Sequence, residues 1–288
     1  MKKIVTKKTH YEQINLALGY INRNYGSDMR VDELASISGY SIFHFHRIFK
    51  SITGESVNEY LKNTRLEKAS NLLLYNQHKK IETIALECGF ATGTGFSNAF
   101  KKRFEMTPKD WRRVGFESVE YATDEAFENI SIESPKIVNM PILFILYMRT
   151  YGYKSDMSEI WNRLHAWSEE MEVLEKEHKF IGLFHNHPFT LPYDRARYLA
   201  CINTDAEVYR SGEVGRCRIM NGKFAKFSFK VTHKELYKLM HFCYTKWLPD
   251  SGYELRNFPS YVEYKNPSNL LSNDILDIDF FMPIKIIL

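Results

Sequence analysis

The 288 residues carry 39 Lys plus Arg against 35 Asp plus Glu, a formal net charge of +4, with 44% hydrophobic residues, a length that predicts two domains. No apolar run reaches the roughly 18 to 20 residues of a membrane span, and Met1-Lys2-Lys3 is not followed by a signal-peptide core, so a soluble cytoplasmic protein with no membrane partner is expected. Cys88, Cys201, Cys217 and Cys243 show no C-x-x-C spacing, which argues against a disulfide framework or a zinc site, and no cofactor is expected.

The first predicted elements come as a repeat. VDELASISGYSIFHFHRIFKSITGESVNEY (Val31 to Tyr60) returns as IETIALECGFATGTGFSNAFKKRFEMTPKDW (Ile81 to Trp111). Leu34, Ala35, Gly39 and Tyr40 reappear 50 residues later as Ile84, Ala85, Gly89 and Phe90. Phe45, Phe49, Lys50, Ser56 and Tyr60 reappear 51 residues later, as Phe96, Phe100, Lys101, Thr107 and Trp111. Each copy, about 31–53 and 81–104, reads as a short helix, a tight turn at the glycine and a second helix. That is the helix-turn-helix arrangement which places a helix in the DNA major groove.

In the first copy Phe45, Ile48, Phe49 and Ile52 form an apolar stripe that must be buried. The stripe beside it, Phe43, His46, Arg47 and Lys50, suits a duplex: arginine donates twice to a guanine edge, lysine neutralises phosphate, and an aromatic ring meets a thymine methyl. In the second copy Phe96, Ala99, Phe100 and Phe104 turn inward while Thr94, Ser97, Asn98 and Lys101 turn outward. Gly93 and Gly95 each cost a helix interior about 1 kcal/mol, so this helix either starts late or accepts strain for close backbone approach. The first copy is expected to discriminate bases more strongly. Between the copies, Leu61, Leu66, Ala69, Leu72 and Leu73 carry helical spacing with no Pro or Gly among them. A helix of about 19 residues spans roughly 28 Å, which comes near the roughly 34 Å between successive major-groove segments on one duplex face.

These residues resemble the DNA-binding domain of the AraC/XylS family of bacterial transcription regulators, over about His10 to Arg113. IETIALECGF, the F-x-x-x-F-K-K-R-F run and MTPKDWR carry the resemblance. It implies base contacts from Phe43, His46 and Arg47 and from Thr94, Gly95, Ser97 and Asn98. With flanking polar and basic residues, the expected DNA-contact set is Phe43, His44, His46, Arg47 and Lys50 from the first unit. The second unit supplies Thr92, Thr94, Gly95, Ser97, Asn98, Lys101 and Lys102. His44 and His46 lie about 200° apart on a helix and are not a chelating pair.

The charge divides with the repeat. Residues 1–115 hold 19 Lys plus Arg and 11 Asp plus Glu, whereas residues 116–288 hold 20 and 24. A basic surplus confined to one part is the electrostatic footprint of nucleic-acid binding. The acidic stretch 116–129 is expected to link the domain 1–115 to a second domain, 130–288.

Beyond the linker the periodicity changes. ILFILYMRTYG reads as a strand, EIWNRLHAWSEEMEVLEK as a helix, and FIGLFHN and RYLACIN as strands. GKFAKFSFKV, HKELYKLMHFCYTKWL, PSYVEYK and DILDIDFFMPI repeat the order. The fold class expected is therefore two domains: an all-α tandem helix-turn-helix (homeodomain-like) and an α+β domain of duplicated β-α-β-β units, its sheet antiparallel with helices on one side. RYLACI, NGKFAKFSF, WLPDSGYEL, SYVEY and DIDFFMPI make this half resemble the GyrI-like effector-binding domain. The resemblance implies a ligand concavity lined by aromatics with a glutamate at its floor, matched here by Glu263. Alternation puts Tyr261 and Glu263 on one sheet face and Phe227 and Phe229 on one face of their strand, with Trp161, Tyr198 and Trp247 as further walls. A carboxylate among aromatic faces suits a lipophilic cation. Core packing explains Phe227, Phe229, Trp161 and Trp247 equally well, and His185-Asn186-His187 reads as a surface loop rather than a metal site.

The function expected is a sequence-specific DNA-binding transcription regulator, an activator, whose C-terminal domain binds a small-molecule effector. Its partners are double-stranded DNA, the effector and RNA polymerase, and it is not an enzyme. The alternatives are a C-terminal domain acting as a small hydrolase or as a protein-interaction module.

Overall fold

The computed structural model describes residues 2–114, 133–151, 157–174, 178–184, 197–206, 212–256, 258–266, 270 and 275–287. The expected linker 116–129 and His185-Asn186-His187 lie outside them. The described residues fall into two compact units, one helical and one built on a sheet.

The helical unit opens with α1 (Lys2–Asn24), a helix the sequence reading did not mark, whose Ile14, Ala17, Leu18 and Ile21 are fully buried. The first helix-turn-helix is α2 (Val31–Ile37) and α3 (Ile42–Thr53), and the second is α5 (Ile81–Glu87) and α6 (Gly93–Phe104). Both turns are built alike. Gly39 and Gly89 hold φ of 67° and 80°, the left-handed region glycine enters without a Cβ penalty. Tyr40 N and Phe90 N then donate to Ala35 O and Ala85 O, at 2.9 and 3.0 Å. The buried aromatics repeat as well: the Phe45–Phe49 and Phe96–Phe100 centroids are both 5.4 Å apart. Tyr60 and Trp111 stand edge-on to Phe49 and Phe100, at 84° and 72°. Burying each such ring is worth about 1.5 to 3 kcal/mol, so two copies of one core hold α3 and α6 in equivalent settings.

The connector α4 (Val57–Tyr75) has the expected 19 residues, and Leu61, Leu66, Ala69, Leu72 and Leu73 are all buried along it. It is fastened toward both units. Arg65 donates to Tyr25 O and Ser27 O, each at 2.7 Å. Arg103 of α6 meets the buried Glu67 carboxylate at 3.1 Å. From α7 (Pro108–Val114), Trp111 Nε1 donates to Ser70 O at 3.2 Å and Arg112 Nη2 to Lys79 O at 2.8 Å. Helices α3 and α6 are thus both fastened to α4.

The second unit is a nine-stranded antiparallel sheet ordered β1-β6-β9-β8-β3-β4-β2-β5, with β7 beside β9. The strands are β1 (Lys136–Met140), β2 (Leu143–Tyr151), β3 (Phe180–Phe184), β4 (Arg197–Asn203), β5 (Gly215–Ile219), β6 (Gly222–Val231), β7 (Tyr253–Leu255), β8 (Ser260–Tyr264) and β9 (Leu276–Ile286). Helix α8 (Ser158–Glu170) lies between β2 and β3; α9 (His233–Phe242), a π-helical turn (Cys243–Trp247) and α10 (Leu248–Asp250) follow β6. The expected duplicated order appears as β2-α8-β3-β4 and β6-α9-β8-β9, joined at the centre where β3 pairs β8. The short strands β1, β5 and β7 were not anticipated.

Cross-strand register settles which side the helices cover. Gly182 lies opposite Ala200 and Val262, Phe184 opposite Tyr198 and Ser260, and Val262 opposite Phe280, so these residues share one face. Trp161 of α8 meets Phe180, Tyr198 and Tyr264 on that face, and Tyr237 of α9 and Tyr244 of the π turn meet Phe184 and Phe280 on it. Both helices therefore lie on one side, as expected.

Candidate functional site

On α3, Ser41 caps the first turn by accepting from His44 N at 3.4 Å. The buried stripe, Phe45, Ile48 and Phe49, fixes the helix's rotation and turns Phe43, His46, Arg47 and Lys50 to solvent. Phe43 is 83% exposed, and Ile42 beside it, which sequence reasoning passed over, is 51% exposed. On this helix they are exposed together with a guanidinium and an ammonium, a mixture suited to base edges and methyl groups.

His44, expected among the DNA contacts, is engaged within the chain. It is half-buried, its ring edge-on to Tyr40 at 4.9 Å and to His10 of α1 at 5.6 Å. The Tyr40 hydroxyl and His10 Nδ1 are 2.6 Å apart, and Arg47 Nη2 donates to His44 Nδ1 at 3.2 Å. His44 therefore lies at the edge of the exposed stripe, engaged with protein groups.

On α6 the two glycines fall in the first turn, where helix cost is lowest. Thr92 precedes them as the cap and accepts from Gly95 N at 3.1 Å, so its oxygen is occupied within the chain. A Cβ on Gly93 would come no nearer than 4.0 Å to Glu82. Packing within the chain does not demand glycine there. Without a Cβ at Gly93, an approaching phosphate can come close to the backbone at the start of this 12-residue helix, whose Gly95 amide is already taken by the cap. Thr94, Gly95, Asn98, Lys101 and Lys102 are exposed, and Ser97 is half-buried at the margin.

The seven residues expected to line one ligand concavity are not brought together. Trp161 and Tyr198 form one aromatic cluster on the helix-covered face, with Tyr264, which sequence reasoning did not single out. The Tyr198 and Tyr264 hydroxyls lie 3.3 Å apart over Gly182, where a Cβ would come within 2.4 Å of the Tyr198 oxygen. Burial pushes the Tyr264 phenol up to about 12 against the lowering effect of the Tyr198 hydrogen bond, so this hydroxyl stays neutral at physiological pH. Phe227, Phe229 and Trp247 form a second cluster. Phe227 and Phe229 stack at 6.0 Å, and Trp247, carried by the π turn, stands at 89° to Phe227 and stacks on Tyr253.

Tyr261 and Glu263 share a face, as alternation requires, but it is the face opposite both clusters. Tyr261 stacks on Phe281 at 4.5 Å, and Glu263 pairs with Lys179 at 2.9 Å. The reason is positional: Val262 and Tyr264 are the β8 residues that point toward the helices, and Glu263 lies between them. Its cross-strand neighbour is Asp279. Burial raises that carboxyl, yet Lys226, Lys265 and Ser228 together hold it below the usual range. Glu263 thus belongs to a lysine-neutralised carboxylate row, not to the floor of an aromatic concavity.

Among the described residues no group of three or more His, Cys, Asp or Glu gathers to hold a metal, and no helix is long and apolar enough to cross a membrane. The four cysteines are free, and Cys88, Cys201 and Cys243 are buried.

Paired helix-turn-helix units on a shared connector, followed by a duplicated α+β domain, define a two-domain regulator with an AraC-type reader. Residues 34–114 match the helix-turn-helix domain family, and residues 133–285 match the GyrI-like small molecule binding domain family. The chain belongs to the GyrI-like small molecule binding domain family and carries an AraC-type helix-turn-helix domain before it. Its helical part is 38% identical over 95 residues to the probable transcription factor PqrA of Proteus vulgaris, covering 33% of this chain and 75% of that protein. It is 34% identical over 104 residues to the HTH-type transcriptional regulator YbfP of Bacillus subtilis (strain 168), covering 36% of this chain and 35% of YbfP, about a third of its length. The crystal structure of the EcmrR C-terminal domain covers 55% of this chain and 100% of that chain, with 13% identity and a TM-score of 0.45.

Proposed function

We propose that this protein is a sequence-specific DNA-binding transcription regulator, an activator in the cytoplasm, whose C-terminal domain binds a small-molecule effector. The observation that carries the reading is the pair of helices α3 and α6. Each is turned by the same buried aromatic core so that polar and basic side chains face solvent, and both are fixed to one connector. On α3, Arg47 reads a guanine edge, Phe43 meets a thymine methyl, and Lys50 contacts phosphate. On α6, the helix start at Gly93 and the side chains of Lys101 and Lys102 hold phosphate, with Asn98 as the base-reading group.

The effector is placed on the helix-covered face of the sheet, against Trp161, Tyr198 and Tyr264 or against Phe227, Phe229 and Trp247. Aromatic walls suit a small lipophilic molecule, which regulates by favouring one state of the protein over another. That state differs in DNA affinity or in contact with RNA polymerase.

The test is selection of binding sites from random duplexes by the full chain, followed by DNA-binding titrations with a panel of lipophilic amines and neutral aromatics. Trp161→Ala or Trp247→Ala should lose any effector response while Glu263→Gln keeps it. Loss with Glu263→Gln alone would move the effector to the opposite face.

A further inference from the structure

On the outward face of α3, Arg47 differs from Phe43, His46 and Lys50 in donating a hydrogen bond to a side chain of its own helix, His44. His44 and Arg47 are three residues apart, neighbours on the helix surface. His44 is itself held from outside the helix by Tyr40 of the turn and His10 of α1, 30 residues before Tyr40. We propose that His10, Tyr40 and His44 form a positioning chain that presents the Arg47 guanidinium to the base edge, so that His44 sets base discrimination without itself contacting DNA. This rests on the reading of Arg47 as a base contact.

The chemistry of the chain is directional. An arginine has donors only, so the His44 Nδ1 facing it at 3.2 Å must be an acceptor, with the ring proton on Nε2. The Tyr40 hydroxyl and Nδ1 of His10, 2.6 Å apart, share one hydrogen bond. Burial, then the nearby His44 and Arg47, lowers the basicity of His10. The two rings packed edge-on against His44 restrict its rotation. One Nη2 hydrogen of Arg47 is thereby fixed, which orients the guanidinium plane and leaves its remaining donors for guanine. An arginine ordered before DNA arrives gives up less freedom on binding and is less able to reach the wrong base.

The experiment uses the full chain and the duplex obtained by random-site selection, alongside the same duplex altered at the base assigned to Arg47 and a random duplex. Dissociation constants are measured for Arg47→Ala, His44→Phe, His44→Asn, Tyr40→Phe and the double variant Arg47→Ala/His44→Phe. His44→Phe keeps a ring but removes the acceptor, and is expected to cut the preference for the correct base about tenfold, the worth of one hydrogen bond to a charged group. Its affinity for random duplex should stay within about twofold, since phosphate contacts are untouched. His44→Asn, whose amide oxygen stands near the place of Nδ1, should restore most of the preference, which a merely structural role would not do. Tyr40→Phe should fall between, and the double variant should match Arg47→Ala alone.

Intact preference in His44→Phe, when Arg47→Ala has lost it, would overturn the positioning role. A further loss when His44→Phe is added to Arg47→Ala would do so too, by making His44 a direct contact. No effect of Arg47→Ala would instead remove the base-reading assignment on which the inference stands.

Discussion

Gly89→Ala, compared with Gly54→Ala, measures how firmly Arg65 of the connector helix is held between the Gly89 turn and the loop after α1. Both glycines have positive φ, 80° and 78°, so an alanine at either adopts a left-handed backbone costing about 1 to 2 kcal/mol. Their surroundings differ. Nothing lies within 4 Å of a Cβ on Gly54, whereas a Cβ on Gly89 would stand 2.9 Å from Arg65 Cζ and Nε and 3.0 Å from Gly26 O. Gly26 O is backbone and yields little, so Arg65 must move. Its donations to Tyr25 O and Ser27 O, both at 2.7 Å, are then weakened or lost. A hydrogen bond from a charged donor is worth about 1.5 to 3 kcal/mol, so Gly89→Ala should cost about 3 to 4 kcal/mol in total against about 1 to 2 for Gly54→Ala. Native-state hydrogen exchange of the α5 and α6 amides in the full chain reads the difference as a roughly 30-fold greater opening equilibrium for Gly89→Ala. Equal costs for the two variants would mean that Arg65 is not held against the turn, and its placement between Gly89 and the loop after α1 would be refuted.

Arg47→Ala should weaken binding to the selected duplex by about 1 to 3 kcal/mol and relax preference at one base, a larger effect than Asn98→Ala, as competition titrations against random duplex would report. Thr92→Ala removes the side chain that caps α6 through Gly95 N and should cost about 1 kcal/mol, seen as faster exchange of the Gly95 amide, with α3 unaffected. His241 of α9 is 7% exposed, and burial, with Lys246 adding, lowers its imidazole to about 4. An unfolded imidazole binds its proton near pH 6.5, so between about pH 6.5 and 4 the unfolded chain holds a proton that the folded chain does not. The sheet domain should lose about 3 kcal/mol on acidification through that window and none of it above pH 7. Urea midpoints across this range should show a shallower loss for His241→Gln than for the natural protein.

The helix-turn-helix positions were legible because the aromatic core is duplicated at a fixed offset: Phe45 and Phe49 could be checked against Phe96 and Phe100, and the turn glycines marked the boundaries. Helix α1 was not read, although Ile14, Ala17, Leu18 and Ile21 carry its spacing, because it has no second copy to check against. Strands β1, β5 and β7 are short, and β1 and β5 mix exposed and half-buried residues, so only pairing with longer neighbours reveals them. Alternation put Tyr261 with Glu263 and Phe227 with Phe229 on common faces. It does not say which face of a strand meets the helices, a choice fixed by registers such as Val262 opposite Gly182. The ring partners of His44 were not legible for a related reason: Tyr40 and His10 lie outside its own helix.

The central claim is that one chain reads two adjacent major-groove segments through α3 and α6. Selection of random duplexes by the full protein, repeated with Arg47→Ala, tests it most directly. The account predicts an enriched site with two recognised segments about one helical turn apart, the segment assigned to α3 degenerating in the variant. Salt-sensitive binding without sequence enrichment, or an enriched site unchanged by Arg47→Ala, would contradict it.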